Sequence, residues 1–223
     1  MLKKSVLLVL AALLLTVVIF AVWPQLDLAV ARYFYGSGQF AGSGNGERLL
    51  RRIFILAPLA VPLAMLVMWA APFAGVRLRA ALVPGNRSMV FVLVSLPLTP
   101  GLLVNVILKD NSARPRPVHV KEFGGPAEFR PWYRFDGACR SNCSFVSGEV
   151  SSSTWLAAPA SLVPAPYRTP AIAAALAFGA ATAYLRIAFG GHFLSDVLFA
   201  FLLTLLAILL LHALIMRKKS PHR

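Results

Sequence analysis

The chain has 223 residues, a hydrophobic fraction of 58%, a mean hydropathy of +0.73 and a formal net charge of +14. Charged residues are only 13% of the chain. Soluble domains are less apolar than this, and a soluble nucleic-acid-binding protein would not place its cations between long apolar runs. The composition therefore indicates a membrane protein whose cations face anionic head groups or an anionic substrate, and it argues against a nucleic-acid partner.

Six apolar runs follow one another along the sequence, separated by charged or turn-forming segments. A helix needs about 20 apolar residues to cross a bilayer. The pattern predicts an all-α bundle of six transmembrane helices that forms a single domain over residues 1–223. The predicted spans are residues 5–23, 53–74, 89–108, 150–164, 170–185 and 193–215.

The first run has a competing interpretation as a cleaved signal peptide. It is longer than the apolar core of a signal peptide, which has about 7–15 residues, and no clear cleavage site of small residues follows it. The sequence therefore favours a retained first helix. In the third run, Pro97 and Pro100 predict a kink.

Six spans place both termini on the same side of the membrane. Lys3 and Lys4 precede the first span, and residues 217–223 form a basic cluster after the last one. Basic residues that flank the membrane directly are typical of the cytoplasmic side. All eight acidic residues fall on the other side. The long polar loop at residues 110–146 is thus predicted to be extracytoplasmic.

Both cysteines of the chain, Cys139 and Cys143, lie in this loop. In an oxidising compartment a disulfide between them is the favoured interpretation. Two free thiols, or a geometry too tight to bridge, is the alternative. Two thiols without neighbouring histidine pairs make a poor zinc site, so no metal is predicted there.

Three segments at predicted membrane boundaries carry the candidate site, all on the side of the long loop. Asp196 follows His192 by four residues, so both share one face if the last helix begins nearby. A carboxylate can hold one imidazole nitrogen and leave the other free as a nucleophile. Fixed cations and neutral donors suited to an anion surround this pair in the sequence: Lys109, Arg116, Ser147, Gly148 and Arg186.

Donors aimed at a phosphoryl group, together with an activated imidazole, describe phosphoryl transfer through a phosphohistidine. No carboxylate cluster is available to hold Mg²⁺, and the cations would repel it. An ordinary surface pair of His192 and Asp196, with boundary charges that share no site, is the alternative.

The order Lys109-x6-Arg116-Pro117, then Ser147-Gly148, then Arg186-x5-His192-x3-Asp196 resembles the three-part signature of the type 2 phosphatidic acid phosphatase (PAP2) superfamily. The resemblance implies metal-independent dephosphorylation of a lipid phosphate without a cofactor. It implies that His192 attacks phosphorus, that Asp196 orients His192, and that the other five residues bind the phosphate.

The sequence departs from the signature at three positions. Val146 replaces a usual proline and Leu185 a usual serine, which both look tolerable. Glu149 stands where the family has a histidine that protonates the leaving group. Three roles stay open: Glu149 becomes an acid only when a bound phosphate raises its pKa, His119 replaces it, or Glu149 contacts the head group.

The resemblance implies a multi-pass protein of a bacterial inner membrane with its active site facing the periplasm. The segment from Cys143 to Glu149 is similar to that of lipid A 4′-phosphatase-like members, and a basic loop with Lys121, Arg130, Arg134 and Arg140 suits a phosphorylated sugar. Phosphatidylglycerophosphate and undecaprenyl pyrophosphate are alternative substrates. A lipid phosphotransferase and a non-catalytic lipid-phosphate-binding protein are alternative functions. No obligate protein partner is evident.

Overall fold

The computed structural model describes residues 2–43 and 45–216 and is mostly helical. Within these residues, five helical segments are long and apolar enough to cross a membrane. They are α1 (Leu2–Val22), α3 (Asn45–Ala70, extended by a turn at Ala71–Ala74), α4 (Asn86–Leu96) with its continuation Pro97–Lys109, α7 (Arg168–Ala188) and α8 (Leu194–Met216). The all-α membrane bundle is confirmed at this level. The basic cluster at 217–223 lies outside the described residues.

The predicted fourth span is not one long helix. It consists of α5 (Gly148–Trp155) and the short α6 (Ala157–Ala160), which meet at Leu156. The break has a local cause: Pro159 cannot donate a backbone hydrogen bond, and its ring clashes with the carbonyl four residues earlier, at Trp155. The prediction of a single helix over 150–164 is therefore corrected.

α5 lies in the centre of the bundle, where two of its serines are paired with other helices. Ser151 shares a 2.7 Å hydrogen bond with Thr204 of α8. Thr182 of α7 donates a 2.9 Å hydrogen bond to Ser153. Buried hydroxyl groups are costly unless they are paired, so these contacts explain how a serine-rich helix can lie inside an apolar bundle.

The third span changes its winding at the prolines. The α-helix α4 ends at Leu96, and the chain continues from Pro97 to Lys109 as a π-helix. The side-chain amide of Asn105 donates a 2.6 Å hydrogen bond to the Pro100 carbonyl, so it takes up an acceptor of the altered winding. A Cβ at Gly148 would lie 2.5 Å from Oδ1 of Asn105. Only glycine allows α5 to approach the third span this closely.

The connection after the first span is more structured than the sequence predicted. It contains α2 (Gln25–Tyr33) and a small antiparallel hairpin of β1 (Tyr35–Gly36) and β2 (Gln39–Phe40). Phe40 packs with Phe123 and with Phe193, the residue before α8, in one apolar cluster. This segment therefore covers the end of the bundle at which α8 begins.

Residues 110–147 lack a long helix and fold back over the same end of the bundle. Cys139 and Cys143 are joined by a disulfide with their Cα atoms 5.7 Å apart. Three basic side chains of this loop have acidic neighbours: Lys121 pairs with Glu128, and Arg130 and Arg134 lie 3.5 and 2.5 Å from Asp136. Because these cations are paired, the loop offers a weaker anion-binding surface than its sequence suggests.

Candidate active site

His192 lies in the turn between α7 and α8, and its ring is held by a backbone group. Nδ1 is 2.6 Å from the carbonyl oxygen of Ser144. A carbonyl can only accept, so Nδ1 carries the hydrogen and Nε2 keeps its lone pair. The nearer carboxylate oxygen of Asp196 is 3.9 Å from Nδ1, which is too far for a hydrogen bond. The predicted direct bond between these two side chains is corrected.

Asp196 is engaged by other donors, which explains why it does not reach the ring. Its Oδ2 accepts from the Ser144 hydroxyl at 2.5 Å and from the Phe193 backbone N–H at 2.8 Å. Its Oδ1 accepts from Arg114 at 2.5 Å. Asp196 therefore fixes Ser144, and the carbonyl of Ser144 fixes His192.

The protonation state of His192 follows from its surroundings. Burial, and then the charges of Arg186, Arg116 and Lys109, hold its pKa well below the usual value, against a weaker opposite effect of the Ser144 carbonyl. The imidazole is therefore neutral at neutral pH. A neutral ring with Nδ1 occupied presents Nε2 as its one nucleophilic nitrogen.

Arg114 is a buried cation between two carboxylates. Its guanidinium donates to Asp196 and, at 2.7 Å, to Asp27 of α2. Its Nε donates to the carbonyl of Arg130 at 2.8 Å, and its Cζ lies 4.5 Å from the centre of the Phe193 ring. The side chains of Arg114, Asp27 and Asp196 are at most 1% exposed. This network ties α2, the long loop and α8 together beneath His192.

Arg116 and Arg186 line a cavity of about 510 Å³ together with Arg51 and His119. Arg116 donates to the backbone carbonyl of Asn142 at 2.9 and 3.1 Å. Burial lowers the pKa of Arg116, with a further contribution of Arg51, but the group stays charged at neutral pH because an arginine loses its proton only in strong base.

Arg186 packs directly against the turn that carries His192. A Cβ at Gly191 would lie 2.3 Å from its Nη2, so the guanidinium needs a glycine next to the imidazole. Nε of Arg186 is buried without a hydrogen-bond partner within the described part of the chain. A buried donor of this kind is costly and is suited to an incoming anion.

The Ser-Gly segment and Lys109 lie on the other side of the site. Ser147 caps α5: its hydroxyl accepts from the Val150 N–H at 3.5 Å. Gly148, Glu149 and Lys109 line a second cavity of about 250 Å³. The structure therefore brings the other seven sequence-predicted site residues to the end of the bundle that carries His192.

Glu149 lies between two cations. Arg51 of α3 donates to both of its oxygens, at 2.5 and 3.1 Å, and Nε of Arg186 lies 3.6 Å away. Two guanidinium groups within 3.6 Å favour the ionised form of this carboxylate. In this structure Glu149 is a carboxylate without a proton to donate.

Sequence reasoning missed Asp27, Arg51, Ser144 and the role of Arg114. Asp27 offered one signal, since it is an acid flanked by apolar residues directly after a membrane span. Arg51 and Ser144 offered none, because their contacts join segments 98 and 48 residues apart. Within residues 2–43 and 45–216, no group of three or more His, Cys, Asp or Glu side chains could hold a metal ion.

Comparison with known proteins places this geometry in a family. The sequence profile described as the PAP2 superfamily matches residues 88–220. The chain belongs to the PAP2 superfamily. The matched region contains the candidate residues from Lys109 to Asp196 and excludes Asp27 and Arg51.

This PAP2 protein is similar over most of its length to curated enzymes. It is 30% identical over 204 residues to a lipid A 4′-phosphatase of Francisella tularensis subsp. novicida (strain U112), covering 91% of the chain and 92% of the relative. It is 33% identical to that of Rhizobium etli, covering 88% and 81%, and 32% identical to that of Rhizobium leguminosarum, covering 88% and 90%. No solved structure matches significantly. The PAP2 protein is therefore a lipid phosphatase, a phosphoric monoester hydrolase.

Proposed function

We propose that this lipid phosphatase removes a phosphate from lipid A through a phosphohistidine formed on His192, without a metal ion, at the periplasmic face of a bacterial inner membrane. The arrangement around His192 carries the mechanism: Nδ1 is held by the Ser144 carbonyl, and Arg116 and Arg186 line the cavity beside it. The relatives support the substrate, since three lipid A 4′-phosphatases align with at least 88% of the chain.

The site residues take the following roles in this proposal. Nε2 of His192 attacks phosphorus, and Ser144 with Asp196 holds the ring in line. The fixed positive charges stabilise the phosphoryl oxygens in the transition state. Water then attacks the phosphohistidine and releases inorganic phosphate. The phosphate ligands are Lys109, Arg116, Ser147, Gly148 and Arg186.

The six-span topology is part of the proposal, with α5 and α6 as a broken crossing. Residues 148–163 run antiparallel to α7, because Glu149 lies beside Arg186, Ser153 beside Thr182, and the Val163 carbonyl accepts from Arg168. α5 and α6 together therefore extend along the whole of α7, which is long enough to cross the membrane. Both termini then lie in the cytoplasm, and His192 lies on the opposite side.

Phosphate release by the full chain in detergent tests this function, with EDTA present and His192→Ala as the control. Lipid A is compared with phosphatidylglycerophosphate and undecaprenyl pyrophosphate, and the product is identified by mass spectrometry. We expect loss of one phosphate from lipid A in wild type, no turnover in His192→Ala, and similar thermal stability of both. A preference for another lipid, transfer only to an acceptor lipid, or turnover by His192→Ala would contradict the proposal.

The covalent intermediate has its own readout in the same assay. Quenching in alkali during turnover preserves phosphohistidine on the protein. Label from the substrate phosphate is expected on wild type and absent from His192→Ala. Turnover without any label on wild type, at substrate concentrations that saturate the enzyme, would favour direct attack by water.

A further inference from the structure

Arg51 occupies an unexpected position in this enzyme. It lies at the start of the second membrane span, outside the part of the chain that matches the family profile. Yet its side chain lines the same cavity as Arg116 and Arg186. Its guanidinium forms a bidentate ion pair with Glu149. Glu149 stands where the family signature has a histidine.

The pair of Arg51 and Glu149 separates two cavities of different character. Arg51 belongs to the polar cavity of about 510 Å³. Glu149 belongs to the neighbouring cavity of about 250 Å³, which is lined by Lys109 and by apolar side chains of α3, such as Phe54 and Leu59. The ion pair thus lies between a polar cavity, whose cations suit a phosphate, and a more apolar cavity that opens towards α3.

The pair is accessible and can be exchanged. The side chains of Arg51 and Glu149 are 42% and 22% exposed, and ion pairs in contact with water contribute little free energy. A phosphate can accept the same bidentate hydrogen bonds from Arg51 as a carboxylate, and it carries more negative charge. Beside them, Nε of Arg186 is 3.6 Å from Glu149 and has no hydrogen-bond partner among the described residues.

We propose that Arg51 is a further substrate-binding residue: it exchanges Glu149 for the incoming phosphate, and the freed Glu149 then takes up the proton that the leaving oxygen needs. This proposal rests on the proposed phosphatase mechanism at His192. Two anions compete for one guanidinium, and phosphate beside a carboxylate favours the protonated form of that carboxylate. The exchange therefore turns a residue without a proton into a proton donor only when substrate is present.

The proton balance of the two steps is complete. The proton arrives on the substrate, whose phosphate is partly a monoanion near about pH 6, and passes to Glu149. In the first step the bond from Nε2 of His192 to phosphorus forms, the bond from phosphorus to the lipid oxygen breaks, and that oxygen takes the proton of Glu149. In the second step water attacks phosphorus, Glu149 accepts a proton from it, and the N–P electron pair returns to His192.

Inorganic phosphate tests the binding part without any turnover. Phosphate raises the melting temperature of a protein that binds it. It is titrated against three proteins that all carry His192→Ala: one without a further change, one with Arg51→Met, and the matched control with Arg52→Met. Arg52 is the next residue of α3 and is exposed. We expect Arg51→Met to weaken phosphate binding at least tenfold and Arg52→Met to leave it unchanged. Equal binding by all three proteins would overturn the proposal, whatever the natural lipid is.

Leaving-group dependence tests the proton part. An aryl phosphate expels a weakly basic phenolate and needs little acid help, whereas a lipid alkoxide needs a proton. With His192 intact, Glu149→Gln is expected to lower kcat for the lipid substrate by about 100-fold and to spare the aryl phosphate. Arg51→Met is expected to raise KM for both substrates. The double variant shows both defects if the roles are separate.

Three results would overturn this assignment. Glu149→Gln restoring the KM of Arg51→Met would mean that Arg51 only neutralises Glu149. A lipid-specific loss in His119→Gln, absent from Glu149→Gln, would assign the proton to His119, which lines the polar cavity. An unchanged KM in Arg51→Met would remove Arg51 from the substrate. The phosphohistidine label separates these results from failure of the proposed function itself, because wild type is labelled in all three.

Discussion

Arg114 and Arg116 are two residues apart in one Arg-Pro-Arg-Pro segment, yet the structure uses them in opposite ways. Arg114 is buried between the carboxylates of Asp27 and Asp196. Arg116 donates to the backbone carbonyl of Asn142 and lines the polar cavity. Gly191, the residue before His192, lines the same cavity. The same side chain is a structural cation when its charge is balanced within the protein and a binding group when it is not.

The two prolines explain how neighbouring arginines reach such different environments. A residue before proline avoids the helical region, and Arg116 has φ −78° and ψ 158°, which is polyproline II geometry. That helix has three residues per turn, so side chains two residues apart point about 120° apart. One arginine is directed into the protein core and the other into the cavity.

Replacing Arg114 breaks the buried side of this comparison and has the largest expected effect. Arg114→Met leaves Asp27 and Asp196 buried without their shared cation. Removing one partner of a buried ion pair costs about 3–5 kcal/mol. The free energy of unfolding, measured by denaturant titration in mixed micelles, should fall by that amount, and activity should fall with it.

Arg116→Met is the matched control, since it removes the same group two residues away. It should lower kcat/KM by about 10- to 100-fold, which is the value of one charged hydrogen bond to the phosphate in the transition state. Its unfolding free energy should change by less than about 0.5 kcal/mol. Equal loss of stability in both variants would show that the burial difference has no energetic meaning.

The sequence predicted the parts of the site whose residues lie close together in the chain. The spacing of His192, Asp196 and Arg186 at the ends of α7 and α8 was enough to bring them to one boundary, because both helices are long and regular. The role of Asp196 was not predictable in this way. Asp196 accepts hydrogen bonds from Arg114 and Ser144. Both residues belong to the long loop, and the sequence does not specify the path of that loop.

The fold shows the same division between local and long-range information. Spans with continuous apolar runs were predicted to within a few residues, for example α7 and α8. The broken α5–α6 pair was predicted as one helix because the apolar run continues through Pro159 and does not itself show the break at the preceding turn. The hairpin at β1 and β2 was missed, since strands of two residues carry no periodic pattern.

The disulfide sharpens the comparison, because its loop contacts the side chain of one arginine and not that of the other. Asn142 lies inside the loop and holds Arg116, whereas carboxylates elsewhere hold Arg114. Replacing Cys139 and Cys143 together by serine should cost about 2 kcal/mol of stability for so short a loop. When Arg116 is present, this double replacement should lower kcat/KM several-fold.

The control for this prediction is the same double replacement in Arg116→Met. If the disulfide acts on activity by holding Arg116 through Asn142, its loss should have no further effect on kcat/KM once Arg116 is gone. Additive losses would instead indicate that the loop acts on His192 through Ser144, the residue that follows Cys143.

The smallest expected effect is on the pH dependence of turnover. It compares how the charges of Arg114 and Arg116 act on the pKa of His192. A histidine with an ordinary pKa near about 6.5 would lose nucleophilicity as the pH falls through that value. The pKa of His192 is lowered, first by burial and then by Arg186, Arg116 and Lys109. The lowered pKa keeps the ring neutral below pH 6.5, so kcat/KM should stay flat there after correction for the ionisation of the substrate phosphate.

Removing a cation from the cavity should move this profile in a defined direction. In Arg116→Met one of the charges that oppose protonation of His192 is gone, so the pKa of His192 rises. The acid limb of kcat/KM should therefore appear at higher pH, by on the order of one unit, because a nearby charge shifts a pKa by about 1–3 units. Arg114 is not among the groups that lower the pKa of His192, so any active fraction of Arg114→Met should keep the wild-type profile. An identical shift in both variants would mean that the charge of Arg114 reaches the imidazole through Asp196, and that the buried network and the cavity form a single electrostatic unit.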